Sequence, residues 1–240
     1  MVILLSKDVI RRNIWRLLEE SGVSRFPKPI EGRIPNFDGA EKAAERLVSQ
    51  PEFQGAEVVK VNPDSPQAPV RRRVLASGKL LVMPTPRLRK GFLILDPKRL
   101  SGRVLTKAST IRGAFRYGRP CPLESLPKVD LIVAGSVAVS RDGVRVGKGG
   151  GYSELEYGIL RELELVDEST PVFTTIHDLQ IVDEAPKDEY DLVVDAIVTP
   201  SKVIRVGKAF PKPTGIIWEK LDRRYLKEIP ILRKLKSQQV

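Results

Sequence analysis

The chain reads as a three-layer α/β domain on a mostly parallel sheet. Two observations predict it. Helical and strand patterns alternate along most of the 240 residues. The strand runs Val129-Asp-Leu-Ile-Val-Ala134 and Val193-Val-Asp-Ala-Ile-Val198 are almost continuously apolar, as strands covered on both faces must be. The length suits one large domain burying about 70–75% of its unfolded surface.

Ser6 is placed to cap a first helix with an apolar stripe of Val9, Ile10, Ile14, Leu17 and Leu18, ended by Gly22. Lys7 and Arg11, four apart, share one face of it. Residues 23–37 are loop-like, with Pro27, Pro29, Gly32 and Pro35, and Asp38 caps a second helix to about Ser49. Ala56–Val61 reads as a strand, Val70–Ala76 as a short helix and Lys79–Met83 as a second strand. Pro84-Thr-Pro-Arg-Leu-Arg-Lys-Gly91 follows, a turn where ligands sit in open parallel sheets. Arg87 and Arg89 there either grip a phosphate or carboxylate or form an exposed basic loop. Phe92–Leu95 is another short strand, and residues 98–128 are basic with no clear pattern.

Beyond Ala134, Val137, Val139, Val144 and Val146 flank Ser140-Arg-Asp-Gly143, an Asp-Gly hairpin turn. The chain then runs through Gly147-Lys-Gly-Gly-Gly151 into a helical pattern over Tyr152–Leu165. Glycines there let backbone N–H groups converge on an anion at a helix N-terminus, with Lys148 adding a full charge. The spacing is neither a Walker loop nor a dinucleotide fingerprint, and spacing alone fits a flexible linker equally well. Thr170–Ile176 is a strand ending at His177-Asp178; this histidine, the only one, is more often structural than functional at such a place. Val193–Val198 is expected to be the last sheet strand. From Pro211 the pattern changes, and Ile217, Leu221, Tyr225 and Leu226 form the stripe of a docking helix.

The 41 Lys and Arg outnumber the 30 Asp and Glu, unevenly. Arg71–Arg119 holds fourteen bases and one acid, whereas Glu154–Asp195 holds thirteen acids and two bases. Such a basic block suits any polyanion. No RNP sequence, zinc-finger spacing or aromatic-rich basic segment singles out nucleic acid, so RNA is the weaker alternative partner. No apolar run approaches a membrane span, Met1–Leu5 is too short for a signal peptide, and lone Cys121 excludes an internal disulfide. A cytoplasmic protein is the expectation.

The segment VDLIVAGSVAVSRDGVRVGKGGGYSELEY, Val129–Tyr157, resembles the signature of the 5-formyltetrahydrofolate cyclo-ligases, or methenyltetrahydrofolate synthetases, whose buried strand leads to a G-[RK]-G-x-G-Y-Y-D loop. Arg33-Ile-Pro-Asn-Phe37, Pro84-Thr-Pro-Arg-Leu-Arg89, Leu155-Glu-Tyr157 and His177-Asp178 resemble the branch called methenyltetrahydrofolate synthetase domain-containing proteins. The resemblance covers roughly Lys7 to Arg205, leaving 206–240 as a basic C-terminal extension. It implies a fold related to ribose-5-phosphate isomerases and CoA transferases, and ATP- and Mg²⁺-dependent closure of 5-formyltetrahydrofolate to 5,10-methenyltetrahydrofolate.

It also implies roles. Lys7, Arg11, Arg145 and Lys148 would hold phosphates, Gly147, Gly149, Gly150 and Gly151 would shape the loop, and Lys148 and Tyr152 would act at the reaction centre. Glu154 and Asp195 would hold Mg²⁺, with Asp64, Arg87, Arg89 and His177 as candidates for the second substrate. Three positions depart from the family: Gly150 and Ser153 replace a second basic residue and a second tyrosine, and Pro66 stands where a folate-binding glutamate is usual, with Asp64 the nearest acid. A nucleotide-binding member without cyclo-ligase activity is therefore the alternative, and a sugar-phosphate isomerase on the same fold a weaker one.

Overall fold

In a computed structural model, which describes residues 5–238, eight strands form the central sheet: β1 (Val58–Val61), β2 (Leu80–Pro84), β3 (Phe92–Leu95), β4 (Arg119–Cys121), β5 (Leu131–Ala134), β6 (Val172–Thr175), β7 (Ala196–Val198) and β8 (Val203–Arg205). Their spatial order is 8-7-6-5-1-2-3-4. β7, β6, β5, β1 and β2 run parallel, and β8, β3 and β4 pair antiparallel at the edges. The expected α/β architecture with a mostly parallel sheet is what the chain adopts. Of the run Met1–Leu5, only Leu5 lies within the described residues.

The layers follow from the two-residue period of a strand. On β5, Leu131 and Val133 enter one core with Ala44 and Leu47 of the helix Ala40–Val48 and Val70 and Val74 of the helix Ala68–Ala76. Ile132 and Ala134 enter the opposite core with Leu155, Ile159 and Leu160 of the helix Tyr152–Glu162. Ile229, Leu232 and Leu235 of the C-terminal segment belong to that same second core. The first helix, Lys7–Glu20, instead packs Ile10, Ile14 and Leu18 against Val137, Val144 and Val146 of the hairpin beyond β5. It is thereby held beside the carboxyl end of the sheet.

Local details differ from the sequence reading. The second helix is capped by Gly39, not Asp38: φ there is +82°, and a Cβ would lie 2.8 Å from Pro200. Asp38 pairs with Arg25 instead. Residues 98–128 contain two short helices, Gly102–Ala108 and Ile111–Tyr117, before edge strand β4. β7 is not the last strand, because the chain turns back at 199–202 to add β8. The single docking helix is two, Arg223–Glu228 and Pro230–Ser237, since Pro230 has no N–H to continue the first and instead starts the second.

Candidate functional site

β1 and β5 are adjacent and parallel, yet their connections leave in opposite directions across the sheet. Ligands of open α/β sheets bind outside the carboxyl ends of strands at such a switch point. Asn62 and Asp64 emerge there from β1, and Gly135 and the hairpin from β5. The hairpin, Ala138–Ser140 paired with Arg145–Val146, turns at Gly143, where φ is +89°, and delivers the chain to the glycine loop.

That loop approaches Arg145 at Gly147 more closely than a side chain would allow. A Cβ on Gly147 would lie 2.8 Å from Arg145 Nη1. Gly149 and Gly151 are left-handed, at φ +99° and +60°, and Gly151 caps the helix Tyr152–Glu162. The uncapped N–H groups of the helix therefore open toward the crevice.

Arg145 is 2% exposed; Nη1 donates to the Gly135 carbonyl at 2.9 Å, and Nη2 pairs with Glu154. Its Nε has no hydrogen-bond partner among the described residues. Burial pushes the guanidinium pKa down to about 10, opposed by Asp191, Glu156 and Asp64, so it stays cationic at neutral pH. Arg11 Nε donates to the Gly147 carbonyl at 2.7 Å, and Lys148 Nζ lies 2.8 Å from Asp64. Lys7 pairs with Asp188 at 2.7 Å and with Asp191. Arg11 also pairs with Asp8. The predicted phosphate-binding groups thus come together around one loop, each cation already facing a carboxylate.

A cavity of about 440 Å³ opens here, within the usual range for small-molecule sites. Lys7, Arg11, Arg145, Gly147, Gly149, Gly151 and Glu154 line one part of it. Tyr152 stands beside the loop, its ring edge-on to Tyr225 at 5.6 Å. Burial raises its phenol pKa, with Tyr225 and Glu228 adding to the rise and Arg87 and Arg224 opposing it.

The two predicted metal ligands do not meet. Asp195 accepts from Val172 N–H at 2.7 Å and pairs with Lys212 at 2.9 Å, at the amino end of β6. Glu154 lies beyond the carboxyl end of the parallel strands, in its pair with Arg145. Among the described residues no cluster of three or more His, Cys, Asp or Glu could hold a metal ion. Glu154 and Asp195 therefore do not fit a shared Mg²⁺ site.

The predicted substrate residues scatter likewise. Asp64 is at the loop, and Arg87, whose φ is +57°, is on the exposed turn near Tyr152. Arg89 borders a separate depression with Lys90, Glu124 and Lys234. His177 caps the turn Asp178–Gln180, its Nδ1 accepting from Leu179 N–H at 3.2 Å, and packs against Phe37. Nor does the basic block Arg71–Arg119 act as a unit: Arg71 is buried, bonding the carbonyls of Asn62, Asp64 and Ser109, while Arg72 and Arg73 pair with Glu41 and Glu45. None of its residues lines the cavity.

Three features escaped sequence reading. Asp188 and Asp191 hold Lys7. Lys60 on β1, 1% exposed, pairs with Glu156 of the loop helix, and Asn62 Nδ2 donates to the same carboxylate at 2.9 Å. Gly215, Ile216, Ile217, Lys220, Leu221, Asp222 and Tyr225 complete the cavity. A lysine inside an apolar run, Val58-Val-Lys-Val61, was the one available signal for the buried pair.

A glycine loop thus stands at the switch point of an open α/β sheet, with a buried arginine under it and a helix N-terminus behind it, an arrangement that suits an anion. Residues 4–200 match the model of the 5-formyltetrahydrofolate cyclo-ligase family, and the chain belongs to that family. It is 45% identical over 239 residues to the methenyltetrahydrofolate synthase domain-containing protein of Bos taurus, covering 98% of this chain and 63% of that one. The human protein of that name is 43% identical over 239 residues, covering 98% of this chain and 62% of that one. The chain thus spans under two thirds of the length of these curated relatives, and the branch read from the motifs is the one matched. The solved structure of Aquifex aeolicus 5,10-methenyltetrahydrofolate synthetase shares the fold, with a TM-score of 0.53 at 22% identity over 85% of this chain and 95% of that one.

Proposed function

We propose that the chain binds ATP at the glycine loop and uses it to convert 5-formyltetrahydrofolate to 5,10-methenyltetrahydrofolate. The observation that carries the nucleotide half is the unpartnered, buried Arg145 Nε beneath a glycine loop that also presents Lys148 and a helix N-terminus. Family membership carries the folate half.

In this reading the formyl oxygen attacks the γ-phosphorus and ADP leaves. N10 then attacks the activated formyl carbon, the oxygen departs with phosphate, and N10 loses its proton. Such chemistry needs positioning and charge neutralisation rather than a protein nucleophile. Arg145 supplies a fixed cation at the loop, while Lys148, Arg11 and Lys7 exchange their carboxylate partners for phosphate oxygens. Tyr152, uncharged at neutral pH, donates a hydrogen bond beside the loop. Magnesium belongs here as the counter-ion of ATP. Among the described residues no helix is long and apolar enough to cross a membrane.

The test mixes protein, Mg·ATP and 5-formyltetrahydrofolate and follows methenyltetrahydrofolate absorbance and phosphate release together. Product with one phosphate per turnover is expected, with folate held less tightly than ATP because the usual glutamate is replaced by Pro66. ATP binding without product would leave a nucleotide-binding member of the family and overturn the reaction.

A further inference from the structure

The cavity has two unlike parts. The first is the polar loop side. The other is largely apolar: Leu155 from the loop helix faces Ile216, Ile217, Leu221 and Tyr225, with Lys220 and Asp222 also lining the cavity. These last four lie beyond residue 200, where the family match ends.

Several contacts seat this segment against the loop helix. A Cβ on Gly158 would lie 2.9 Å from Ile216 Cγ1 and 3.2 Å from the Gly215 carbonyl, so the helix is bare where the segment crosses. Ile216 N–H donates to Glu162 at 3.0 Å. The Tyr225 hydroxyl donates to the Gly150 carbonyl at 2.7 Å, and its ring meets Tyr152. Lys220 pairs with Glu189, between the two aspartates, Asp188 and Asp191, that hold Lys7.

A charged loop beside an apolar, partly aromatic wall suits a ligand with a polyanionic tail and a flat apolar head. A nucleoside triphosphate has that form. We infer that the segment Gly215–Tyr225 is the base-recognition wall of the nucleotide site, with Leu221, Ile217 and Leu155 against the flat ring and Tyr225 positioning the loop through Gly150. This deepens the proposed function and rests on its nucleotide half. It assigns to the segment after residue 200 the distinction between a nucleotide and a bare polyphosphate.

Calorimetric titration of the full chain with ATP and with inorganic tripolyphosphate tests it. Leu221 and Ile217 are only half-buried, which keeps Leu221→Ala and Ile217→Ala foldable. Each is expected to weaken ATP about tenfold, the low end of what an apolar pocket contact is worth, and to leave tripolyphosphate unchanged. Tyr225→Phe, which keeps the ring and loses the bond to Gly150, is expected to weaken both probes. Unchanged ATP affinity in both alanine variants, or equal losses for the two probes, overturns the wall while leaving the nucleotide reading intact. Wild-type protein that binds tripolyphosphate as tightly as ATP does the same. Wild-type protein that binds neither overturns the nucleotide reading and the wall with it.

Discussion

The ammonium of Lys148 lies 2.8 Å from the carboxylate of Asp64, 84 residues earlier, so the glycine loop is latched to the segment leaving β1 across the switch point. Lys148 is 41% exposed, and a pair so open to water contributes about 0–1 kcal/mol to stability. On the proposed function its value is local: it holds a cation where an incoming phosphate would displace the carboxylate.

Lys148→Ala is therefore expected to move the urea midpoint little while weakening ATP by about 1.5–3 kcal/mol, the range for hydrogen bonds to charged groups. Calorimetry on a variant of confirmed stability measures both. Unchanged ATP affinity removes the loop from the site.

Glu154 and Asp195 should separate. Asp195→Asn removes the charge facing largely buried Lys212 and should cost about 1–3 kcal/mol of stability with nucleotide affinity unchanged. Glu154→Gln strips Arg145 of its paired carboxylate, so any change in ATP affinity should be equal with and without Mg²⁺. A selectively larger loss in magnesium would return Glu154 to a metal-binding role.

Breaking the Lys60–Glu156 pair should be the most damaging single change. Removing one partner of a buried ion pair costs about 3–5 kcal/mol, whereas replacing both with apolar side chains of similar volume is often neutral. Glu156→Leu is expected to unfold at much lower urea than wild type, and Lys60→Met with Glu156→Leu to recover most of the loss. No recovery in the double variant would show that the pair acts through the Asn62 contact instead.

The cap at His177 carries a pH dependence. Burial lowers its pKa below the usual 6.5, against the opposing pull of Asp178 and Asp38. The unfolded chain thus binds the proton more readily than the fold does. The contribution is complete above about pH 6.5 and is lost as pH falls through the lower folded value. His177→Asn, which keeps a capping acceptor, should flatten that part of the stability curve, and His177→Ala should cost about 1 kcal/mol at neutral pH. An unchanged acid limb in His177→Asn would assign the titration to other groups.

Much of the fold was legible because its strands are either buried on both faces or bounded by glycine and proline. Val129–Ala134 and the Asp-Gly hairpin announce themselves by period and turn chemistry. β8 did not, since Val203-Ile-Arg205 is short and sits at an edge, where burial imposes little pattern. The glycine loop stood out in the sequence, and the cations placed around it were singled out by the family resemblance rather than by spacing. Their partners were not: Asp188 and Asp191 lie some 180 residues after Lys7, and no local rule joins positions so distant. Asp195 misled for the related reason that a strand residue's chemistry depends on which end of the sheet it occupies.

Tyr225 touches Gly150 across 75 residues, and a ribosome adding about 5–20 residues per second releases the two several seconds apart. The glycine loop therefore leaves the exit tunnel with one side of its crevice still unmade. The bare notch at Gly158 marks where the later segment will close it. Translation order thus makes this pocket complete only some time after its glycine loop has emerged.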